Sequence, residues 1–372
     1  MIKLLHSADL HYSYRQYGWA DREQDMYDAG WFVVNTAIAQ KVDAVILSGD
    51  IYATAKPSAT AVGIMMQQVN KLKEAGIRVL AIDGNHDPSK GEWSKVCGIE
   101  PLGSAYTHVG GTEVSIGGID YMQPAATMEQ LQRFVADKVK LDILMLHHDI
   151  AELAGFDEAS SLSARKMSPL LKKLGVKYVA MGHIHKYAET VIDGIRWVYP
   201  GSPEVTASDQ REEKSIELVC IEDGEVTTTV IPVVGNRPQL HMQFEGDNEK
   251  FFTELAEKKA NVTKEPVLHI YATDEKSAEL KLLETTLQTN KTLYRVHGLD
   301  TVEDDEGIIM ESDTEFNRYD VHNALKEAVF AYFDEGTDEA ELIQMLLRQK
   351  TPEAIKQIVT DYLERKDVEV QL

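Results

Sequence analysis

Five short apolar runs in this chain each end in a cluster of side chains able to ligate a metal or move a proton. Val79-Leu80-Ala81-Ile82 is followed by Asp83-Gly84-Asn85-His86-Asp87. Ile2-Lys3-Leu4-Leu5 leads into His6-Ser7-Ala8-Asp9-Leu10-His11, and Ala44-Val45-Ile46-Leu47 into Ser48-Gly49-Asp50. Ile143-Leu144-Met145-Leu146 precedes His147-His148-Asp149, and Tyr178-Val179-Ala180-Met181 precedes Gly182-His183-Ile184-His185. The candidate ligands are Asp9, His11, Asp50, Asn85, His147, His183 and His185. Carboxylates, imidazoles and an amide oxygen suit Mn²⁺, Fe²⁺ or Zn²⁺ better than Ca²⁺ or a thiolate-type site.

The set is too large for a single ion. With Asp50 as a bridge, Asp9, His11 and His185 serve one metal, and Asn85, His147 and His183 the other. Asp-x-His and His-x-His in extended chain put both side chains on one face. Two ions about 3.5–4 Å apart can clamp a phosphate and stabilise charge developing on phosphorus. His86 is the imidazole left outside the ligand set, placed to protonate a leaving alkoxide or stabilise the transition state. Asp87 either orients His86 or stabilises the turn. His147 rather than His148 is expected to reach the metals, because adjacent strand residues point to opposite faces. His6 and His108 lie within strand-like segments and read as core or edge histidines. Gly-Asn-His-Asp alone is as good a turn as a site; its recurrence among five such clusters gives it chemical weight.

The elements that must position these groups follow from the pattern. Short apolar runs bounded by turn signals read as buried strands. Residues 26–40 (Trp31, Val34, Ile38) and 59–75 (Val62, Met66, Val69, Leu72) carry helical periodicity, with Gly76 as a stop. Alternating strand and helix implies an α/β fold with a largely parallel sheet, whose sites lie beyond the carboxyl ends of its strands. Two hairpins are expected: residues 112–116 and 119–122 around Gly117-Gly118, and 216–221 and 226–231 around Asp223-Gly224. A four-layer α/β/β/α sandwich accommodates both.

Composition sets bounds. At 372 residues the chain suits two or three domains. Lys+Arg 38 against Asp+Glu 61 gives −23, so a nucleic-acid partner requires metal ions, local basic patches or another subunit to offset the field. Cys97 and Cys220 lie far apart in no metal-ligand pattern, and a reducing cytoplasm is expected. The first apolar run is broken by His6 and Asp9, so neither a signal peptide nor a membrane span is expected.

Asp9-x-His11, Gly49-Asp50, Gly84-Asn85-His86-Asp87, His147 and Gly182-His183-x-His185 together resemble the motif set of the calcineurin-like metallophosphoesterase superfamily. Within it, Gly49-Asp50-Ile51-Tyr52 followed by Lys56-Pro57-Ser58, and Tyr199-Pro200-Gly201-Ser202-Pro203-Glu204 followed by a hairpin and Arg237-Pro238, resemble the SbcD-type DNA repair nucleases. The resemblance covers residues 1–240 motif by motif and the remainder by layout. It implies a dimetal-dependent DNA phosphodiesterase with exonuclease activity on duplex ends and endonuclease activity on single strands or hairpins. Mn²⁺ is the favoured ion, with Fe²⁺, Mg²⁺ or Zn²⁺ as substitutes. An SbcC-type ATPase subunit is the implied partner, in a heterotetramer built on a homodimer. One departure is Leu10-His11-Tyr12-Ser13, where the family commonly has glycine two residues after the histidine; it puts the neighbouring substrate loop in question.

Residues 1–236 are thus expected to form the nuclease domain. Residues 239–299 read as a small β-α-β-α-β unit without a ligand cluster, similar to the capping domain that helps such nucleases select DNA; a purely stabilising appendage is the alternative. Residues 300–318 read as an acidic linker. Residues 319–372 carry three amphipathic helices, the last opened by Thr351-Pro352. They are too short to bury much surface alone, so they dock on another chain, the ATPase in the family, or fold back on the cap. Two rivals remain: a small-molecule phosphodiesterase or phosphatase on the same scaffold, and a non-catalytic interaction subunit, which has no need of the ligands present here.

Overall fold

The computed structural model describes residues 1–298 apart from 112–113, 155–160, 211, 261, 263 and 273–276. The acidic linker and the C-terminal helices expected from the sequence lie outside the described residues. Strand and helix alternate as the apolar pattern does, through β1 (Ile2–Ser7), α1 (Ala20–Gln40), β2 (Ala44–Ser48), α2 (Ala59–Glu74) and β3 (Arg78–Ile82). The Ser58 hydroxyl caps α2 by accepting the Ala61 N–H. Then come α3 (Glu92–Cys97), β4 (Glu100–Pro101), β5 (Ala105–Val109), β6 (Val114–Ile119) and α4 (Pro124–Ala136). The chain continues through β7 (Ile143–His147), α5 (Ala151–Ala154), α6 (Ala164–Leu174) and β8 (Tyr178–Gly182). Two hairpins follow, β9 (Ala188–Ile192) with β10 (Ile195–Tyr199) and β11 (Ser215–Glu222) with β12 (Glu225–Pro232).

One sheet runs β12-β11-β1-β2-β3-β4 and the other β5-β6-β7-β8-β10-β9. Their interiors are parallel and their hairpin edges antiparallel. Alternation along each strand feeds separate apolar layers. Leu5, Val45 and Val79 pack against Met26, Val34 and Met65 of the first helices. Leu4, Ile46 and Leu80 face Ile143, Met145 and Val198 between the sheets. Leu144 and Val179 meet Leu131, Phe134 and Met167 outside the second sheet. This is the expected α/β/β/α sandwich.

One expected hairpin is absent. Gly117 and Gly118 lie inside β6, which pairs with β5 and β7. They serve close packing: a Cβ on Gly117 would lie 2.7 Å from a Leu141 methyl, and one on Gly118 2.5 Å from an Ile82 methyl.

A third sheet holds β13 (Gln239–Phe244), β14 (Val267–Ala272) and β15 (Leu293–Gly298), all parallel, linked by α7 (Asn248–Lys259) and α8 (Ala278–Thr289). Its own core contains Met242, Phe251, Ile270 and Leu283. A buried ionic cluster ties it to the sandwich: Asp25 accepts from Arg22 at 2.5 Å and from Arg237 at 2.6 Å. Arg22 also donates to Glu204 at 3.1 Å. Burial opposes ionisation of Asp25, but Arg237, Lys264 and Arg22 hold its pKa below the usual range. Among the described residues, no helix is long and apolar enough to cross a membrane.

Candidate metal centre

The carboxyl ends of β1, β2, β3, β7 and β8 open toward one another across the two sheets, and the chain turns sharply there. Asp9, His11, Asp50 and His183 adopt φ of 55°, 45°, 50° and 95°, a left-handed conformation costing a non-glycine residue about 1–2 kcal/mol. Neighbouring loops hold these turns: the Asp9 N–H donates to Gly49 O at 3.1 Å and the His11 N–H to Asp50 O at 3.0 Å. The approach is close enough that a Cβ on Gly182 would sit 2.0 Å from the Ser48 carbonyl oxygen.

The turns gather the side chains into two groups. Ligand atoms of Asp9, His11 and His185 lie within 4.8 Å of one another, as do those of Asp50, His147 and His183. Asn85 Oδ1 joins the second group at 3.0 Å from both His147 Nε2 and His183 Nδ1. Asp50 Oδ2 lies 3.3 Å from His147 Nε2 and 3.8 Å from His11 Nε2, so it reaches both groups. His86 stands at the rim. Its Nε2 is 3.9 Å from Asp50 Oδ2, its side chain is 26% exposed, and its backbone N–H donates to Asp50 Oδ1 at 2.9 Å.

Burial lowers the pKa of His11 to about 4 and of His183 to about 3, and takes His185 well below its usual value. Burial also works against charge on His147, but the Asp50 carboxylate beside it outweighs that and raises it to about 9. Asp9 is pushed up to about 7, chiefly by burial. Asp50 resists burial because His147 is near, and its pKa falls below the usual range. His147 Nδ1 lies 2.7 Å from the Ser48 carbonyl, leaving Nε2 toward Asn85 Oδ1, an acceptor. His11, His183 and His185 are thus held neutral, while His147 keeps a proton on Nε2 toward Asn85 Oδ1 that a cation would displace; imidazoles, carboxylates and an amide oxygen are a donor set that fits two divalent cations.

Asp87 serves the turn. Its Oδ1 accepts the Gly84 N–H at 2.7 Å, and its Oδ2 accepts those of Ile51 at 2.7 Å and Tyr52 at 3.2 Å, fastening the Asn85 loop to the Asp50 loop. His148 turns to Asp149 at 2.6 Å, so the centre gathers His147 alone of the pair. His6 is buried between the Tyr178 hydroxyl and the Met181 carbonyl, whereas His108 is exposed on β5. Ser13 takes φ 76° at the position where the family pattern has glycine. The supporting partners of His185, namely Thr206, Gln210 and Lys214, were not anticipated. They lie in an irregular loop with no periodicity or motif of their own.

The calcineurin-like phosphoesterase family model matches residues 2–187, which include every candidate ligand. The chain belongs to that family and is a metal-dependent phosphoesterase. Among curated relatives, the DNA double-strand break repair protein Mre11 of Thermoplasma acidophilum is 30% identical over 276 residues, covering 68% of this chain and 71% of its own. The protein of that name from Methanocaldococcus jannaschii is 29% identical, covering 72% and 75%. That of Saccharolobus solfataricus is 24% identical, covering 96% and 98%.

Proposed function

We propose that this protein is a dimetal-dependent DNA phosphodiesterase, the nuclease subunit of an SbcCD-like DNA end-processing complex. The observation that carries the reading is the pair of three-residue groups, Asp9/His11/His185 and Asp50/His147/His183, with Asp50 Oδ2 between His11 and His147. In this assignment the first group would hold one ion, Asn85, His147 and His183 would hold the other, and Asp50 would serve both. Two bound ions, Mn²⁺ in the first instance, would polarise a phosphodiester and stabilise charge on its oxygens. The chain's own contribution is placement. His86 at the rim, 3.9 Å from Asp50 Oδ2, would donate a proton or hydrogen bond to the leaving oxygen. Duplex exonuclease and single-strand endonuclease activities belong to this reading.

The DNA substrate is supported by the names of the relatives and by the separately packed module at 239–298, read as a DNA-recognition cap. Residues 319–372 are read as the docking region for an SbcC-type ATPase, within a heterotetramer containing two copies of this chain. The net charge of −23 favours a subunit whose duplex grip comes largely from that partner.

The test is cleavage of end-labelled duplex and hairpin DNA in Mn²⁺, with and without the ATPase. Wild-type chain should cut, while His86→Ala should bind both ions and not cut. Turnover of a cyclic nucleotide with none on either DNA would favour the small-molecule enzyme instead, and DNA cleavage by His86→Ala would reject the role given to that imidazole.

A further inference from the structure

Behind His185, a chain of polar groups runs into the loop before β11. His185 Nδ1 lies 2.7 Å from Thr206 Oγ1, which accepts from Gln210 Nε2 at 2.9 Å. Gln210 Oε1 in turn accepts from Lys214 Nζ at 2.7 Å. Lys214 is 3% exposed, and its ammonium also donates to the His185 carbonyl at 3.0 Å. The direction of the chain is forced from the lysine end. An ammonium offers only donors, so Gln210 must turn its oxygen toward it and its NH₂ toward Thr206. The Thr206 N–H, donating to the same oxygen at 3.1 Å, holds that orientation.

Thr206 Oγ1, having accepted from Gln210, keeps one lone pair and its own O–H, so it can accept an N–H from His185 Nδ1 or donate to it, and a cation on Nε2 selects the first. That tautomer leaves His185 Nε2 unprotonated toward His11 and Asp9, as a metal requires. Gln210 Nε2 is itself only 3.3 Å from His185 Nδ1. Without the hydroxyl between them, the amide would donate to Nδ1 and favour a proton on Nε2, where it opposes a metal.

We propose that Thr206 is a positioning residue for the first ion, accepting the His185 Nδ1–H that a metal on Nε2 requires while Lys214 and Gln210 fix the hydroxyl's surroundings. This rests on the assignment of His185 to that ion. The test is calorimetric titration of the full chain with MnCl₂, comparing wild type, Thr206→Val, Thr206→Ser and His185→Ala, with thermal unfolding in chelator to check the fold. Thr206→Val should keep one ion at wild-type affinity and weaken the other by about 10–100-fold, and Thr206→Ser should restore it. Wild-type binding of both ions by Thr206→Val, or a Thr206→Ser as weak as the valine variant, would overturn the proposal. If His185→Ala still binds two ions as wild type does, the ligand assignment fails and the proposal with it. If His185→Ala loses one ion and Thr206→Val loses none, the proposal alone fails. Thr206→Ala, which places no extra methyl against the imidazole, makes the same comparison should valine disturb the metal-free fold.

Discussion

His11 and His185 point their Nε2 atoms at each other across 2.9 Å, and burial keeps the pKa of each below its usual value. Only one of two neutral rings can carry a proton between them, and Asp9 Oδ1 lies 4.0 Å from His185 Nε2. A cation satisfies all three groups together, so its binding should stabilise the fold. With Mn²⁺ at a hundred times its dissociation constant, one site contributes about 2.7 kcal/mol. A scanning-fluorimetry titration should therefore raise the unfolding midpoint by a few degrees, reversibly with chelator. A midpoint indifferent to both would show that no cation binds between these groups.

Ser13 supplies a second test, because it occupies a left-handed turn that the family pattern gives to glycine. Its hydroxyl donates to Ser58 Oγ at 3.1 Å and accepts the Ser58 N–H at 3.2 Å, tying the turn to the cap of α2. In Ser13→Gly, relief of about 1–2 kcal/mol of backbone strain is opposed by the greater entropy that glycine loses on folding and by the lost hydrogen bonds. The expected net change in urea unfolding is within about 1 kcal/mol. Ser13→Val should cost about 2 kcal/mol or more, since a β-branched residue is an outlier at positive φ. A glycine variant several kcal/mol less stable would mean that the hydroxyl, not the backbone, makes this turn.

The contrast between Ser13 and Gly117 shows what the sequence could and could not disclose. Strand faces were legible because Leu4 and Leu5, or Val45 and Ile46, alternate between two buried layers. The candidate ligands were legible because each lies at or just beyond the carboxyl end of such a strand. Gly117-Gly118 looked like a turn because glycine signals both turns and tight packing, and only the Leu141 and Ile82 methyls distinguish them. The β9–β10 hairpin went unread because β9 is only half buried and carries no apolar run. Thr206 could not be assigned to His185 because their contact spans 21 positions with nothing periodic between.

Glu217 makes stability depend on pH. It is 1% exposed on β11, where Thr228 of the neighbouring β12 offsets only part of the burial of its carboxyl. Burial pushes its pKa up from 4.5 to about 7. Below pH 4.5 the carboxyl is protonated both folded and unfolded. Between 4.5 and about 7 the unfolded chain releases the proton first, so this group lowers stability as pH rises, by about 1.4 kcal/mol per unit. Above about 7 the loss is complete. Glu217→Gln should therefore be more stable than wild type at pH 7.5 by roughly 3 kcal/mol, and should converge with it near pH 4.5. Urea midpoints for the two proteins at both pH values measure the difference, and parallel profiles would show that Glu217 ionises freely in the folded chain.

Gly84 packs its backbone against the Asp50 carboxylate. A Cβ there would lie 2.0 Å from Asp50 Oδ1 and 2.5 Å from Asp50 N, so alanine must displace Asp50 itself. Because Asp50 Oδ2 reaches both His11 and His147, that displacement should weaken both ions together, by at least about 10-fold each. Asn85 is the neighbouring residue, and its Oδ1 meets His147 and His183 of one group, so Asn85→Ala should weaken one ion and spare the other. Calorimetric Mn²⁺ titrations of the two variants separate these outcomes. A Gly84→Ala protein that loses a single ion, as Asn85→Ala does, would place Asp50 on one metal and end its role as the bridge.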